Sequence, residues 1–294
     1  MVSLIGALIS GVDSGSATGE GNIALILVDG PIMVQNSGGY FSDGGASSET
    51  LVKQINSAES DESIEAIILM INSPGGSAVA SDEIAQAVLN SEKPVVSVIR
   101  EVGASGAYWI ASASDHVVAN RMSITGSIGV ISSYLEFSGL MENYGVSYER
   151  LVAGDKKDVG NPFRTLGASE RDLLQEKIDL IHDYFIDAVA ENRGLSRGEV
   201  AEVATGEFYL GVEALNLGLI DGLGDLETAK SYIEDELKIE IEGLVSYDAP
   251  ESIFDVLAEL SVLHGFALGK SMGDSIVLND GNLKNTLAGS GVKV

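Results

Sequence analysis

The chain has 294 residues, of which 45% are hydrophobic, and it carries a formal net charge of −27. This hydrophobic fraction is enough to build the core of one large domain or two modest ones, and it excludes a disordered chain. The acidic charge argues against nucleic-acid binding, because phosphate backbones are bound by basic patches. Cysteine is absent, which excludes disulfides and thiolate chemistry. The three histidines, His116, His182 and His264, lack metal-ligand spacing, so we expect neither a metal nor a cofactor.

The first 21 residues divide into two parts. Residues 1–11 are apolar and contain no Lys or Arg, but a membrane-spanning helix needs about 20 apolar residues. They are expected to be either the remnant of a membrane anchor or a loose tail. Residues 13–21 are rich in Gly, Ser and Thr, which indicates a flexible linker.

Apolar runs and amphipathic segments alternate from residue 22 to about residue 119. Helical spacing predicts helices at residues 48–56 and 77–90, and a further helix is expected to begin near residue 105. Residues 38–48 are glycine-rich and predict a loop. Buried strands are predicted at residues 23–28, 64–71, 94–99 and 116–119. This alternation favours an α/β domain with a mostly parallel sheet flanked by helices.

The second half of the chain is predominantly helical. Residues 168–193 form one long amphipathic pattern that Gly194 is expected to end, and shorter helices are predicted at residues 196–203 and 228–237. Beyond them come a strand-like run and an amphipathic segment at residues 253–268. The predicted organisation is an N-terminal tail at residues 1–21, a main domain at residues 22–237 and a helical C-terminal extension at residues 238–294.

Three glycine-containing turns follow predicted strands and are candidates for a functional site. Residues 72–76 (Asn-Ser-Pro-Gly-Gly) precede a helix, so their backbone amides can face an anion. Residues 103–107 (Gly-Ala-Ser-Gly-Ala) place Ser105 at a helix start, where it is either a nucleophile or an ordinary N-cap. Residues 125–129 (Thr-Gly-Ser-Ile-Gly) place Ser127 where it can cap a turn or orient a base. Taken one at a time, none of these turns identifies a function.

The order and spacing of these turns, followed by Gly-Asp-Lys-Lys-Asp at residues 154–158, resemble the signal peptide peptidase A family of serine peptidases. The resemblance extends over about residues 22–230 and includes Gly-Leu-Ile-Asp-Gly at residues 218–222. It implies a Clp/crotonase-like fold, with residues 22–237 as the peptidase domain, and a catalytic pair made of a serine and a lysine.

The resemblance also implies individual roles. Ser105 matches the nucleophile, Lys157 the general base and Ser127 the residue that positions this lysine. The oxyanion would be held by the backbone amides of Gly75 and Gly106.

Two local features bear on these roles. The adjacent Lys156 leaves the choice of base open, although the family pattern favours Lys157. Ala107 stands where many relatives carry glycine, and its single methyl group should be tolerated at the helix start. A lysine acts as a base only where desolvation holds its pKa far below the ordinary value. We therefore expect Lys157 to be buried beside the nucleophile, with Asp155 and Asp158 directed away from it.

The histidines are poor candidates for the base. A serine nucleophile needs a proton acceptor within hydrogen-bond reach. His116 begins the strand that follows the Ser105 helix and is expected at the far end of the sheet. His182 lies in the middle of a long helix, where packing or surface roles are usual, and His264 lies in the tail region. A Ser-His-Asp arrangement is therefore disfavoured.

The resemblance further implies substrates and a setting. The substrates would be cleaved signal peptides and other unfolded, hydrophobic peptides, with small or apolar side chains at the cleavage point. The chain would form a homo-oligomeric ring whose sites face an enclosed interior. In the full-length form a membrane anchor would hold the catalytic domain outside the cytoplasm.

Two alternatives from other functional classes stay open. Crotonase-type acyl-CoA or thioester enzymes use the same pair of amide-donating turns, but they place glutamates at the reacting centre, and Glu101 is the closest one here. A catalytically inactive, membrane-associated scaffold is the other alternative. The filled nucleophile and base positions argue against a scaffold.

Overall fold

The computed structural model describes residues 18–35 and 45–247, all within a unit that spans residues 1–248. A second unit, residues 249–294, lies outside the described residues. The predictions that also fall outside them are the apolar tail, most of the linker, part of the loop at residues 38–48, the segment at residues 253–268 and His264.

Eight of the described strands form one sheet in which β10–β1–β4–β5–β6–β9 is an all-parallel path. On the described residues, β7 pairs in parallel with β5 and antiparallel with β8, while β2 and β3 form a separate parallel pair. The strands are β1 (Ile23–Asp29), β2 (Ile32–Met33), β3 (Ala46–Ser47), β4 (Ala66–Ser73), β5 (Val95–Ala104), β6 (His116–Ala119), β7 (Ile124–Gly126), β8 (Phe208–Leu210), β9 (Gly222–Leu223) and β10 (Leu244–Ser246). The predicted mostly parallel sheet is confirmed.

Helices cover both faces of this sheet. They are α1 (Ser48–Ser60), α2 (Ala78–Leu89), α3 (Gly106–Ser112), α4 (Ser138–Asn143), α5 (Ala168–Arg193), α6 (Arg197–Val203), α7 (Gly211–Asn216) and α8 (Leu226–Asp235). This arrangement is the predicted α/β class and fits a Clp/crotonase-like fold.

Successive residues of the strands enter two different cores. Ile67 and Leu69 of β4 belong to the larger core, which also contains buried side chains of α1, α2 and α3. Ile68, between them, packs on the opposite face, where Ala229 and Ile233 of α8 are buried. Strand side chains alternate between faces, and both faces are covered here. This explains why β1 and β4 appear in the sequence as uninterrupted apolar runs.

The parallel sheet brings the three glycine turns to one edge. Ser73 at the end of β4 pairs with Gly103 near the end of β5. Gly126 of β7 pairs with Ala104 on the other side of β5. In such sheets the ligand sites lie outside the carboxyl ends of the strands, and that is where Ser105 follows β5.

The predicted elements agree with the observed ones at some positions and differ at others. The helix at residues 168–193 is confirmed at both ends, and Gly194 ends it with a left-handed φ of 63°. β5 continues past its predicted end at residue 99 because Val102 to Ala104 pair with β7. β7 and β8 were missed, since three-residue strands are too short to show a period. The sheet also includes β10, which pairs with β1. The sequence predicted that the main domain ends at residue 237, so this strand lies beyond the predicted boundary.

Residues 130–166 form a surface segment that we call the arm, whose regular structure is limited to α4. Ile131 and Leu151 in it are 92% and 99% exposed, and Leu135 and Tyr144 are 73% and 79% exposed. The arm therefore exposes several large apolar side chains to solvent.

None of the described helices combines the length and the apolar character that crossing a membrane would require.

Candidate active site

Ser105 occupies a sharp turn between β5 and α3. Its backbone has φ 53° and ψ −125°, and its amide donates a hydrogen bond to the carbonyl of Gly126 at 2.8 Å. Although Ser105 is the N-cap residue of α3, its side chain makes no capping hydrogen bond. Ser105 therefore does not act as a side-chain cap of α3, and its hydroxyl makes no hydrogen bond to any residue that the structure describes.

The conformation of Ser105 is unusual for a residue with a side chain. Positive φ favours glycine, and a non-glycine residue held there costs about 1–3 kcal/mol. Such strain persists only where the surrounding structure holds it, and it concentrates at functional sites. Here the turn is held by the hydrogen bond to Gly126 and by close packing against Gly75.

Gly75 approaches the Ser105 turn too closely for any side chain. A Cβ built on it would lie 2.7 Å from the Gly106 nitrogen and 2.9 Å from the Ser105 Cβ, and its φ is 92°. The Gly75 amide donates a hydrogen bond to the Ser73 hydroxyl at 3.1 Å. Gly75, the predicted oxyanion donor, therefore lies beside Ser105, and its N–H is hydrogen-bonded within its own turn.

Gly106 begins α3 directly after Ser105. As the first amide of a helix, its N–H has no acceptor within the helix. A Cβ on Gly106 would collide with the Ser81 hydroxyl of α2 and would lie 3.4 Å from the Gly76 nitrogen. The amides of Gly106 and Gly76 thus lie near one another beside Ser105. Sequence reasoning did not single out Gly76, because both glycines of the pair fit the turn equally well.

A cavity of about 470 Å³ opens beside Ser105 and also contains Ser127. The structure thereby brings these two predicted residues together. Ser127 has φ 52°, and its hydroxyl donates to the Gly206 carbonyl at 3.2 Å. The cavity is lined by Pro74, Ser105, Ser127, Gly129, Val130, Ile131, Gln175, Ile178, Asp179, His182, Thr205 and Gly206.

Lys157 lies in the arm, is exposed and does not line this cavity. The expectation that Lys157 is buried beside Ser105 is therefore not met. Its side chain makes no hydrogen bond or ion pair with any described residue, whereas the ammonium of Lys156 donates to the Ser169 hydroxyl at 2.8 Å. Of the two adjacent lysines, Lys157 is the one whose amine is uncommitted.

The carboxylate of Asp158 is directed to arginines. It accepts two hydrogen bonds of 2.7 Å from Arg150 and is also bonded by Arg164. Hydrogen bonds from Arg150 and then from Arg164 hold the pKa of Asp158 well below its usual range. Among the described residues, the charged partners of this carboxylate are therefore arginines and not Lys157.

Comparison with known proteins identifies the family. The profile of peptidase family S49 matches residues 87–240, more than half of the chain. A protein of Methanocaldococcus jannaschii, provisionally named a protease, is 32% identical over 283 residues, covering 93% of this chain and 90% of its own length.

The chain belongs to peptidase family S49.

Two further relatives carry more specific names. An Enterococcus faecium protein, provisionally named signal peptide peptidase SppA, is 31% identical over 228 residues, or 76% of this chain and 66% of its own length. The chloroplastic serine protease SPPA of Arabidopsis thaliana is 31% identical over 283 residues, which is 91% of this chain and 41% of its own length. The resemblance of this S49 peptidase to the signal peptide peptidase A family is confirmed.

The described histidines of the S49 peptidase lie at opposite ends of the sheet. His116 pairs with Val96 at the start of β5, far from Ser105, and stacks on Tyr232 at 3.7 Å between ring centroids. His182, by contrast, lines the Ser105 cavity, with its Nε2 3.3 Å from the Ile128 carbonyl oxygen. The sequence interpretation of His182 as an ordinary packing or surface residue missed this placement.

The C-terminal half of α5 is fixed against the nucleophile helix. Trp109 of α3 and Phe185 of α5 stack with centroids 4.7 Å apart, and Phe185 is buried. About two turns further along, at the end of α5, the Arg193 guanidinium donates to both carboxylate oxygens of Asp221, at 2.9 and 2.6 Å. Burial alone would raise the pKa of Asp221, but the hydrogen bonds and charge of Arg193 outweigh it and lower the pKa. The motif at residues 218–222 therefore has a structural role, because it binds Arg193 at the end of α5.

Proposed function

We propose that this S49 peptidase is a serine endopeptidase with Ser105 as its nucleophile. The observation that carries the proposal is the Ser105 turn itself. The backbone is strained, the hydroxyl is not used as a cap, and the amide of Gly106 follows directly beside the close-packed Gly75. This is the geometry that acyl transfer needs: a half-buried serine hydroxyl at the edge of a cavity, next to backbone donors that can hold an oxyanion.

Lys157 is the proposed general base, and a second copy of the chain supplies it. Its uncommitted amine and its exposure support this assignment, as does the absence of any lysine from the cavity lining beside Ser105. Docking of a neighbour's arm at the cavity would desolvate the amine, which favours its neutral, basic form. Ser127 would then position the lysine, after giving up its bond to the Gly206 carbonyl.

The arm supports a homo-oligomeric ring. Its exposed apolar side chains, Leu151 foremost, cost free energy in a lone chain and are covered when the arm packs on a neighbour. An arm that leaves one copy and completes the site of the next makes a head-to-tail interface, and such an interface gives a ring when the rotation between copies closes.

Catalysis would proceed by acyl transfer. Ser105 Oγ attacks the peptide carbonyl as Lys157 accepts its proton, and the oxyanion is held by the amides of Gly106 and Gly75. The Gly75 amide must first release Ser73 Oγ, and the Gly76 amide is the neighbouring alternative. Lys157 then protonates the leaving amine, and water, deprotonated by the same lysine, hydrolyses the acyl-enzyme.

The proposed substrates are cleaved signal peptides and other unfolded, hydrophobic peptides at a membrane. The name of the Enterococcus faecium relative supports this class. An enclosed ring would exclude folded proteins. The enzyme would accordingly be anchored in a membrane, with its catalytic domain outside the cytoplasm.

The experiment compares three single variants on a fluorogenic peptide and on a serine-reactive phosphonate. Ser105→Ala should lower kcat by ~10³-fold or more and abolish labelling. Lys157→Ala should be similarly inactive, while the matched variant Lys156→Ala keeps its activity. Peptide hydrolysis that survives in Ser105→Ala would end the proposal. Hydrolysis of an acyl-CoA thioester in place of peptides would favour the crotonase alternative, and an unlabelled, inactive wild type would favour the scaffold.

A further inference from the structure

The glycine turn at residues 72–76 is anchored on one side by β2. The Gly75 carbonyl accepts a hydrogen bond from the Ile32 amide at 2.9 Å, and the Ile32 carbonyl accepts one from the Ser77 amide at 2.9 Å. Gly76 is thereby bridged to Ile32 as in a parallel sheet. A Cβ on Gly76 would lie 2.1 Å from the Ile32 carbonyl oxygen, so this close approach requires glycine.

The contact with Ile32 sets the direction of the Gly76 amide. In a trans peptide the N–H points opposite to the preceding C=O, and none of the described peptide bonds is cis. Because the Gly75 carbonyl faces Ile32, the Gly76 N–H faces away from it. Among the described residues this N–H has no acceptor, and its nitrogen lies 3.4 Å from the position that a Cβ of Gly106 would occupy. It is therefore an unused donor next to the helix start that follows Ser105.

Ser73 holds the same turn through its side chain. It is fully buried at the end of β4, and its hydroxyl oxygen accepts the Gly75 N–H at 3.1 Å. The two peptide groups that flank Gly75 are thus both fixed, one by Ser73 and the other by Ile32. Gly75 has a φ of 92°, and a glycine left without these bonds has many conformations open to it. The direction of the Gly76 amide therefore depends on the Ser73 hydroxyl.

We propose that Ser73 is a positioning residue of the oxyanion site, whose hydroxyl holds the Gly75 amide so that the Gly76 amide stays directed at the oxyanion. This assignment rests on the proposed peptidase function. It makes Gly76 the partner of Gly106, so the Gly75 amide does not have to release Ser73 before the reaction. Donors that are held in place beforehand stabilise the developing charge without reorganisation. Loss of the Ser73 hydroxyl should therefore slow acyl transfer more than it weakens substrate binding.

The first test compares Ser73→Ala with the matched control Ser97→Ala in the full chain. Both serines are fully buried in the same sheet, and the Ser97 hydroxyl has one hydrogen bond, to the Ser114 hydroxyl at 2.7 Å. Ser73→Ala should lower kcat on a fluorogenic peptide by ~10- to 100-fold with little change in KM, which is less than the ~10²–10³-fold that loss of a whole donor costs. Ser97→Ala should keep the wild-type kcat, and Tm is measured to compare the stability of the two variants.

The direction of the change in kcat decides between the two glycines. If the Gly75 amide is the donor and Ser73 withholds it, Ser73→Ala frees that amide and raises kcat. A kcat equal to or above that of wild type would therefore overturn the positioning role.

A peptide aldehyde measures the same step as an equilibrium. Ser105 Oγ adds to the aldehyde carbon, the C=O double bond becomes a single bond to an oxyanion, and the serine proton passes to the base. The corresponding peptide alcohol binds without this addition. Ser73→Ala should weaken binding of the aldehyde by ~10-fold or more and leave binding of the alcohol unchanged.

A crystal structure of the wild-type adduct tests the geometry without any substitution. The aldehyde oxygen should lie within hydrogen-bond distance of the Gly76 and Gly106 nitrogens, while the Gly75 N–H stays on Ser73. A Gly75 amide that has turned from Ser73 to this oxygen would overturn the assignment, whether or not Ser73→Ala folds.

These outcomes separate the positioning role from the peptidase function. If wild type hydrolyses peptides and Ser73→Ala behaves like Ser97→Ala, the positioning role is overturned and the peptidase function stands. If wild type cleaves no peptide but binds the aldehyde more tightly than the alcohol, and this preference depends on Ser73, the positioning role stands and the peptidase function fails. A wild type that shows neither hydrolysis nor a preference for the aldehyde overturns both.

Discussion

Two inactive variants of this enzyme should restore each other when they assemble together. Ser105→Ala retains Lys157, and Lys157→Ala retains Ser105. If each site combines Ser105 of one copy with Lys157 of the next, a mixed ring contains some sites in which both residues are intact. If each site takes both residues from the same chain, no mixture of these variants can contain an intact site.

The size of the effect follows from this arrangement. In an equal, random mixture, half of the copies offer an intact serine and half of the neighbours offer an intact lysine. About a quarter of the sites, and so about a quarter of wild-type activity, should be recovered in a head-to-tail ring. The recovered activity should follow the product of the two fractions, and so be greatest at equal proportions and fall on either side.

The assay is hydrolysis of a fluorogenic peptide after the two variants are co-refolded over a range of ratios. Exchange of subunits is verified by native mass spectrometry on tagged chains. A mixture of Ser105→Ala with the double variant Ser105→Ala/Lys157→Ala is the control and should stay inactive. Mixed rings that form and yet show no activity at any ratio would refute a base supplied by a neighbour.

Two further variants test the strain and the charges of the structure. Ser105→Gly should abolish hydrolysis and yet raise Tm by several degrees, because glycine removes about 1–3 kcal/mol of backbone strain at φ 53°. Calorimetry measures this Tm, and an unchanged or lower value would contradict the strained turn. Arg164 lowers the pKa of Glu170 to about 2 from an ordinary value of 4.5, so the ion pair stabilises the base of the arm above pH 4.5 and is lost as the pH falls towards 2. Arg164→Leu should therefore loosen the arm already at pH 7, and hydrogen exchange over residues 130–166 would detect this as faster exchange. Equal protection of these residues in wild type and Arg164→Leu would show that Arg164 does not stabilise the arm.

The sequence predicts the central strands of the sheet well, because strands that are buried on both faces appear as uninterrupted apolar runs. β4 and most of β1 are buried, which favours continuous apolar residues, and each strand is found within two residues of its predicted position. The Ser105 turn is less certain from the residues alone, since the same small residues suit a helix cap. The resemblance to a family decided in favour of a nucleophile, and the free hydroxyl agrees with that choice.

The walls of the cavity lie beyond the reach of sequence reasoning. His182 and Asp179 are more than seventy residues from Ser105 along the chain, and they reach it because Phe185 stacks on Trp109. Neither ring is unusual in an amphipathic helix, so no local pattern predicts this packing. The placement of Lys157 is missed for a related reason: its exposed position in the arm, outside the lining of the Ser105 cavity, depends on tertiary structure that spacing along the chain does not show.

The arm and the incomplete site have one explanation in common. A chain that kept Lys157 beside its own Ser105 would have no need to expose Leu151 and Ile131 almost completely. A chain that lends its lysine to a neighbour must extend the segment that carries it and give that segment an apolar surface with which to dock. Assembly would then bury the arm, desolvate the lysine and complete the cavity in one step. Peptidase activity would accordingly depend on protein concentration, and a lone chain would be folded and inactive.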